Sequence, residues 1–297
     1  MENKEKIIAL LRSQNYDNIK LGLQLEESQQ IDLSDFWADL RSLYALLYKK
    51  KPSKRHLAGL FLMHTIDLSD KGLHKLPENF IFIDQLQELF LDNNQLININ
   101  DQLPKGDKIY SISLTRNYLT EIPSKILNYN NLLYLNLDDN PFKTIPESLS
   151  KLNNLKHLYL AKCQLYCLPS VFKFNSLERL DLRFNQITEL PASLCESKHL
   201  IDLNLGQNKL KTLAPNFGEL TNLIHLSLNE NLITDFPTQI FNLKNLFSLN
   251  LGNNPIKNIP KNIRQMTNLK RITLSGTLLQ EDQKKHLKSM LPEIIID

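Results

Sequence analysis

Apolar residues in this chain fall into two regimes. From about residue 62 to residue 279 they follow one motif, LxxLxLxxNxLxxLP, written most cleanly from Leu132 to Pro146 as LLYLNLDDNPFKTIP. Leu132, Leu135, Leu137 and Phe142 are its apolar pegs, Asn140 its polar hinge, and Ile145–Pro146 its turn away from the strand. The hinge recurs at Lys71, Asn94, Asn117, Asn140, Cys163, Asn185, Asn208, Asn231, Asn254 and Thr277, with eight of nine intervals at 23 residues and one at 22. One copy cannot bury its apolar side alone, so copies must stack. The Leu–x–Leu alternation predicts a short strand in each copy, such as Leu135–Leu137, then a turn and an irregular or short helical return. Parallel strands at about 4.8 Å would span roughly 45 Å in ten copies, with the strands on the inside of a curve.

Up to about residue 57 the motif is absent. Ile7, Ile8, Leu10 and Leu11 sit at helical spacing. Ile19, Leu21, Leu23 and Leu25 alternate like a strand, but the helix formers around Gln24 and Glu26 predict a helix. Ser34 is expected to cap a third helix carrying Phe36, Trp37, Leu40, Leu43, Leu47 and Tyr48. Lys49, Lys50, Lys51, Lys54, Arg55 and His56 then cluster around Pro52, read as a solvated link after a helix C-terminus. A nuclear-import signal or an anionic-surface patch are the alternatives for that cluster. Past Thr277, residues Glu281 to Met290 read as a helix stopped by Pro292, with Glu293 and three isoleucines following. The expected division is a helical cap at 1–57, a repeat array at 58–279 and a second cap at 280–297.

The hinge asparagine, with a Leu–Pro pair five residues on as in Leu168–Pro169 and Leu190–Pro191, resembles the leucine-rich repeat proteins. The 23-residue period is similar to their intracellular class, seen in plant Ras-group-related and bacterial cytoplasmic members. That resemblance implies an α/β solenoid, a right-handed βα superhelix of about ten repeats with helical caps at both ends. It says nearly nothing about function.

Composition narrows the setting. The net charge of +3 is too weak to argue for nucleic acid or membrane. Cys163, Cys167 and Cys195 make no even framework and no metal spacing, which points to a reducing compartment. The start MENKEKIIALL has a five-residue apolar run, where a secretory signal needs about 7–15. A cytoplasmic monomer is therefore expected, with no cofactor and no metal.

The hinge asparagines Asn94, Asn117, Asn140, Asn185, Asn208, Asn231 and Asn254 have a structural task, because an amide both donates and accepts. Cys163 fits the same slot as a small, weakly bonding substitute. Two breaks in the pattern stand out: Asn100 to Asp107 lacks the usual return, and Cys163 to Asn185 is one residue short between Phe172 and Leu177.

Strand residues that do not face the core form columns on the sheet. Tyr134, His157, Tyr159, Arg179, Arg183 and Phe184 collect on neighbouring strands, with Phe90 and Arg116 in the same columns. Tyr and Arg are enriched where proteins bind one another, so a protein or peptide partner is expected there. His157 and His225 lie three strands apart, roughly 14 Å, too far to share a metal ion. No phosphate loop and no GxSxG is present, so no enzyme is expected. The alternative is a regulator of a small GTPase or kinase that lends Arg116, Arg179 or Arg183 to its partner's site.

Overall fold

The computed structural model describes residues 2–13, 15–48, 50–290 and 294–296. Lys49, Pro292 and Glu293 of the sequence reading lie outside them. The chain divides into two compact units, Met1–Leu119 with Pro123–Leu132, and Thr120–Ile122 with Leu133–Asp297.

The first unit opens with four helices: α1 (Glu2–Leu11), α2 (Tyr16–Ser28), α3 (Ser34–Leu47) and α4 (Lys54–Gly59). The alternating segment is helical, as its helix formers require, and the Asn15 side chain caps it by accepting the N–H groups of Asp17 and Asn18. Ser34 is not a cap. It is already helical, and Asp32 Oδ1 accepts its N–H at 2.9 Å.

The basic cluster is only partly a solvated link. Lys54, Arg55 and His56 form the first turn of α4, closed by a capping box between Ser53 and His56. Lys54 Nζ reaches Glu26 Oε1 at 2.8 Å, and Trp37 Nε1 donates to the same buried oxygen at 2.7 Å. A carboxylate removed from water needs such partners.

Three parallel strands follow in the first unit, β1 (Thr65–Asp67), β2 (Glu88–Phe90) and β3 (Ser111–Ser113). The helices grip the 3-10 turn Glu78–Phe82. Arg12 donates to Asn79 Oδ1 at 2.6 Å and lies 3.3 Å over the Phe82 ring, while Asp39 accepts the Asn79 N–H at 2.7 Å. The return expected to be missing after β2 is present as a 3-10 turn, Asn100–Gln102, and the stretch after it packs on Tyr129, whose ring is fully buried and whose hydroxyl donates to Pro104 O at 2.7 Å. Gly106 permits this. It sits at φ +85°, and a Cβ there would fall 1.9 Å from the Tyr129 ring.

The second unit carries β4 (Tyr134–Asn136), β5 (His157–Tyr159), β6 (Arg179–Asp181), β7 (Asp202–Asn204), β8 (His225–Ser227), β9 (Ser248–Asn250), β10 (Arg271–Thr273), helix α5 (Glu281–Met290) and β11 (Ile295–Ile296). These strands pair in parallel in chain order, Tyr134 opposite His157, His157 opposite Arg179, and so on to β11. β4 lies one residue before the expected Leu135–Leu137, although the Leu137 N–H still donates to Tyr159 O at 3.0 Å. Prolines 146, 191, 237 and 260 precede 3-10 returns, and their carbonyls accept the N–H of the third residue of each, as in Leu149 N to Pro146 O at 3.1 Å.

The shortened repeat has no helical return. Phe172 and Phe174 are buried edge to face with centroids 5.0 Å apart, and their N–H groups donate to Ser193 Oγ and Ser197 Oγ, each at 2.9 Å. Serines of the following repeat thus replace the missing turn.

Hinge side chains tie each rung to the one before. Asn208 Nδ2 donates to Leu182 O at 2.9 Å in the preceding rung and to Leu205 O at 3.1 Å in its own, while its Oδ1 accepts Ile187 N–H at 3.0 Å. Asn94, Asn117, Asn185, Asn231 and Asn254 repeat the arrangement. Cys163 supplies only the donor half, Sγ to Leu137 O at 3.4 Å. The N–H of Phe142 therefore folds back onto Asn140 O at 2.8 Å. Ile256 does the same onto Asn254 O at 2.8 Å, where the next hinge is Thr277.

The residue before each hinge is left-handed. Asp70, Asn93, Arg116, Asp139, Lys162, Phe184, Gln207, Glu230 and Asn253 have φ between 52° and 59°. Such a conformation costs a non-glycine residue about 1–2 kcal/mol.

Asn208→Ala leaves the buried Ile187 N–H without its acceptor and strips one of two amide donors from Leu182 O and Leu205 O, which keep Asn185 and Asn231. Chemical denaturation should show a loss of about 1–3 kcal/mol. Cys163→Asn should gain about 1 kcal/mol by supplying the missing acceptor. An equal effect of both substitutions would contradict the ladder.

Candidate partner-binding face

Alternation along each three-residue strand buries the middle leucine and turns its two neighbours to the open side of the sheet. On β4 and β5 those neighbours include Tyr134, His157 and Tyr159. The Tyr134 ring lies 5.4 Å from Tyr159 and 6.3 Å from His157, tilted by 45° and 48°. Both tyrosines are half-buried, so neither is covered by other side chains. Offset ring packing of this kind gives a preformed aromatic surface.

Arg179, on β6 opposite His157, is exposed and makes no side-chain hydrogen bond or ion pair among the described residues. Arg183 differs. Its Nε lies 3.2 Å from Asp181 Oδ2, and its N–H donates to Asp181 Oδ1 at 3.0 Å. Asp181 thus pairs with Arg183 and not with Arg179. Phe184, next along, is 41% exposed in its left-handed turn, with Lys162 Nζ 5.3 Å and the Arg183 guanidinium 5.8 Å from its ring. Cations over a ring hold its orientation.

Tyr134, His157, Tyr159, Arg179, Arg183 and Phe184 therefore lie on three consecutive rungs of the second unit. Phe90 and Arg116 belong to the first unit. Phe90 is half-buried on β2, and Arg116 donates weakly to Asn93 Oδ1 at 3.4 Å.

One further column escaped the sequence reading. Ile201, Ile224 and Phe247 precede β7, β8 and β9 and pair through their backbones, Ile224 N to Ile201 O at 2.8 Å and Phe247 N to Ile224 O at 2.9 Å. Phe247 is 47% exposed and meets His225 edge to face at 6.3 Å. The readable signal was an apolar residue directly after the first leucine of the motif, as in Leu246–Phe247.

Two groups on this face titrate unusually. Burial lowers the pKa of His157, and Arg179 lowers it further. The buried His157 Nδ1 has no hydrogen-bond partner, which fits a ring kept neutral. Burial raises the Asp138 carboxyl to about 6, against the Ala161 N–H bond that lowers it and with Asp181 adding to the rise. Among the described residues no three His, Cys, Asp or Glu side chains gather into a metal site, and no helix is long and apolar enough to cross a membrane.

This geometry has known counterparts. The family model described as "Leucine rich repeat" matches residues 107–165, 175–233 and 221–279, more than half of the chain. The chain belongs to the leucine-rich repeat family, and its fold is an α/β leucine-rich repeat solenoid. Among solved structures it is similar to a leucine-rich repeat protein of Leptospira interrogans (26% identity, 76% of this chain, 75% of that one, TM-score 0.46). It is also similar to TLR13 in a complex with single-stranded RNA (30% identity, TM-score 0.63), covering 71% of this chain but 32% of that one, about a third of its length. A third likeness is to an octameric complex of latrophilin 3, Unc5D and FLRT2 (21% identity, 80% of this chain, 83% of that one, TM-score 0.61). None of the curated proteins matches the sequence. Leucine-rich repeat proteins commonly mediate protein–protein interaction.

Asp138 gives this face a pH signature. Its pKa in the folded protein lies above the ordinary value of 3.8, so its contribution favours the fold below about pH 4 and is lost as pH rises through about 6. Between pH 4 and 7, wild type should lose about 2 kcal/mol relative to Asp138→Asn, read by urea unfolding at each pH. Parallel stability curves for the two proteins would refute the burial argument.

Proposed function

We propose that this chain is a non-enzymatic interaction module of the cytoplasm, a scaffold or adaptor that docks a protein or peptide partner on the open sheet face around Tyr134, His157, Tyr159, Arg179, Arg183 and Phe184. One observation carries this reading: two half-buried tyrosines, an unpartnered arginine and an exposed phenylalanine share three adjacent rungs whose core is already filled by leucine. Rigid aromatic anchors lose little side-chain freedom on binding, and a preformed sheet lowers the ordering cost further. Phe184 adds weight. A bulky residue in a left-handed turn is strained, and its gain on this face would be contact with a partner.

The 23-residue period and the three unpaired cysteines, Cys163 and Cys195 buried and Cys167 half-buried, support the intracellular class and a reducing compartment. Residues 1–57 and 280–297 would serve as caps on an array over 58–279, in a chain that acts as a monomer.

The test is affinity capture from the native cell with wild type, Tyr159→Ala/Arg179→Ala and Phe184→Asn. The double variant should reduce capture by roughly tenfold or more with little change in melting curve. Phe184→Asn should weaken capture while stabilising the fold by about 0.5–1 kcal/mol, because asparagine tolerates the left-handed turn. Unaltered capture by both variants would move the binding face elsewhere.

A further inference from the structure

A cavity of about 510 Å³ lies among α2, α3 and α4 of the first unit. Its floor is apolar, with buried Ile19 and Leu60. Tyr44 and Tyr48 form a wall, their rings 4.6 Å apart, and Tyr48 is 44% exposed at the mouth. Arg55 and His56 supply the polar rim. The Arg55 guanidinium hydrogen-bonds the Tyr16 hydroxyl and lies 5.5 Å from the Tyr16 ring centroid, while the His56 ring lies 6.1 Å from Tyr44.

Three features define what would fit. The size is that of a small-molecule site. The lining contains a guanidinium and an imidazole but no carboxylate, so its charge is complementary to an anion. Finally, His56 Nδ1 accepts the Ser53 N–H at 3.2 Å in the capping box, which leaves the ring hydrogen on Nε2 as a donor. Glu26, the nearby buried carboxylate of α2, is already occupied by Lys54 and Trp37.

We propose that this cavity binds a small amphipathic anion, an aryl or alkyl carboxylate. The carboxylate meets Arg55 and His56, and the apolar body lies on Ile19 and Leu60 against the tyrosine wall. A neutral ligand would gain the apolar floor but leave the Arg55 guanidinium without a counter-charge.

Fluorescence titration of the full chain with anilinonaphthalene sulfonate, an anionic aromatic probe, tests this. One saturable site per chain is expected, displaced by decanoate and not by decanol. Arg55→Gln should weaken the probe by about tenfold or more. N-phenylnaphthylamine, which has similar rings and no charge, should bind far more weakly and change by less than about twofold in the same variant. Tyr48→Ala should weaken both probes, with circular dichroism melts confirming that each variant is folded. Four results would overturn the proposal: decanol displacing the probe as well as decanoate does; sulfonate affinity unchanged in both variants; capture of an acidic amphipathic peptide with no small-anion binding; or concentration-dependent dimerisation abolished by Tyr48→Ala in the absence of anion binding.

Discussion

Seven of the ten hinges in this protein are a buried amide, and the stacking of the rungs depends on it. A tight turn at the end of each strand leaves backbone carbonyls and N–H groups pointing into a leucine core, where an unpaired polar group costs a few kcal/mol. Asparagine is the side chain short enough to sit in the turn while donating twice and accepting once or twice. Because its partners lie both in its own rung and in the previous one, local turn geometry and stacking are satisfied by the same side chain. Leucine packing supplies the bulk of the driving force, and the amide makes that packing compatible with the backbone.

The surface follows from the same constraint. With the middle residue of each strand committed to the core and the hinge committed to the turn, only the strand flanks and the left-handed residue before the hinge are free to vary. Those are the positions where Tyr134, Tyr159, Arg179 and Phe184 occur. Asp138 and Asp181 illustrate the cost of placing a charge there, since both carboxyls are raised by burial even though each accepts a backbone N–H. The face is therefore not ordinary solvated surface but a partly dehydrated sheet on which each polar group is tied to a neighbour or left in want of one.

How much of this could be read beforehand depends on whether the information was local. The period, the hinge slots and the strand faces are written in residue spacing, and the solenoid was legible from them. The helical reading of Tyr16–Ser28 succeeded because composition outweighed a misleading alternation. Ser34 failed as a cap because it already lies in the first turn, with its own N–H given to Asp32. Lys54 and Arg55 resembled a linker because their partners, Glu26 and Tyr16, are 28 and 39 residues away. The serines that complete the shortened repeat are likewise non-local. On the sheet face, column spacing alone puts Tyr134, His157, Tyr159, Arg179, Arg183 and Phe184 on adjacent rungs, whereas Phe247 was missed because its column lies one position before the strand.

The ladder also has a direction. Asn94, Asn117, Asn185, Asn208, Asn231 and Asn254 clasp backward, whereas the hydroxyl of the final hinge residue, Thr277, donates to its own Leu274 O at 2.7 Å. A duplicated stretch of 23 residues would therefore carry its own clasp and find a ready receptor in whatever rung preceded it. Array length can grow or shrink by whole units through tandem gene duplication without orphaning a backbone group. Asn140–Pro141 and Asn254–Pro255 stand where the following hinge is not asparagine, and proline there gives up an N–H of its own. Those two rungs are the places where such inheritance would leave a scar.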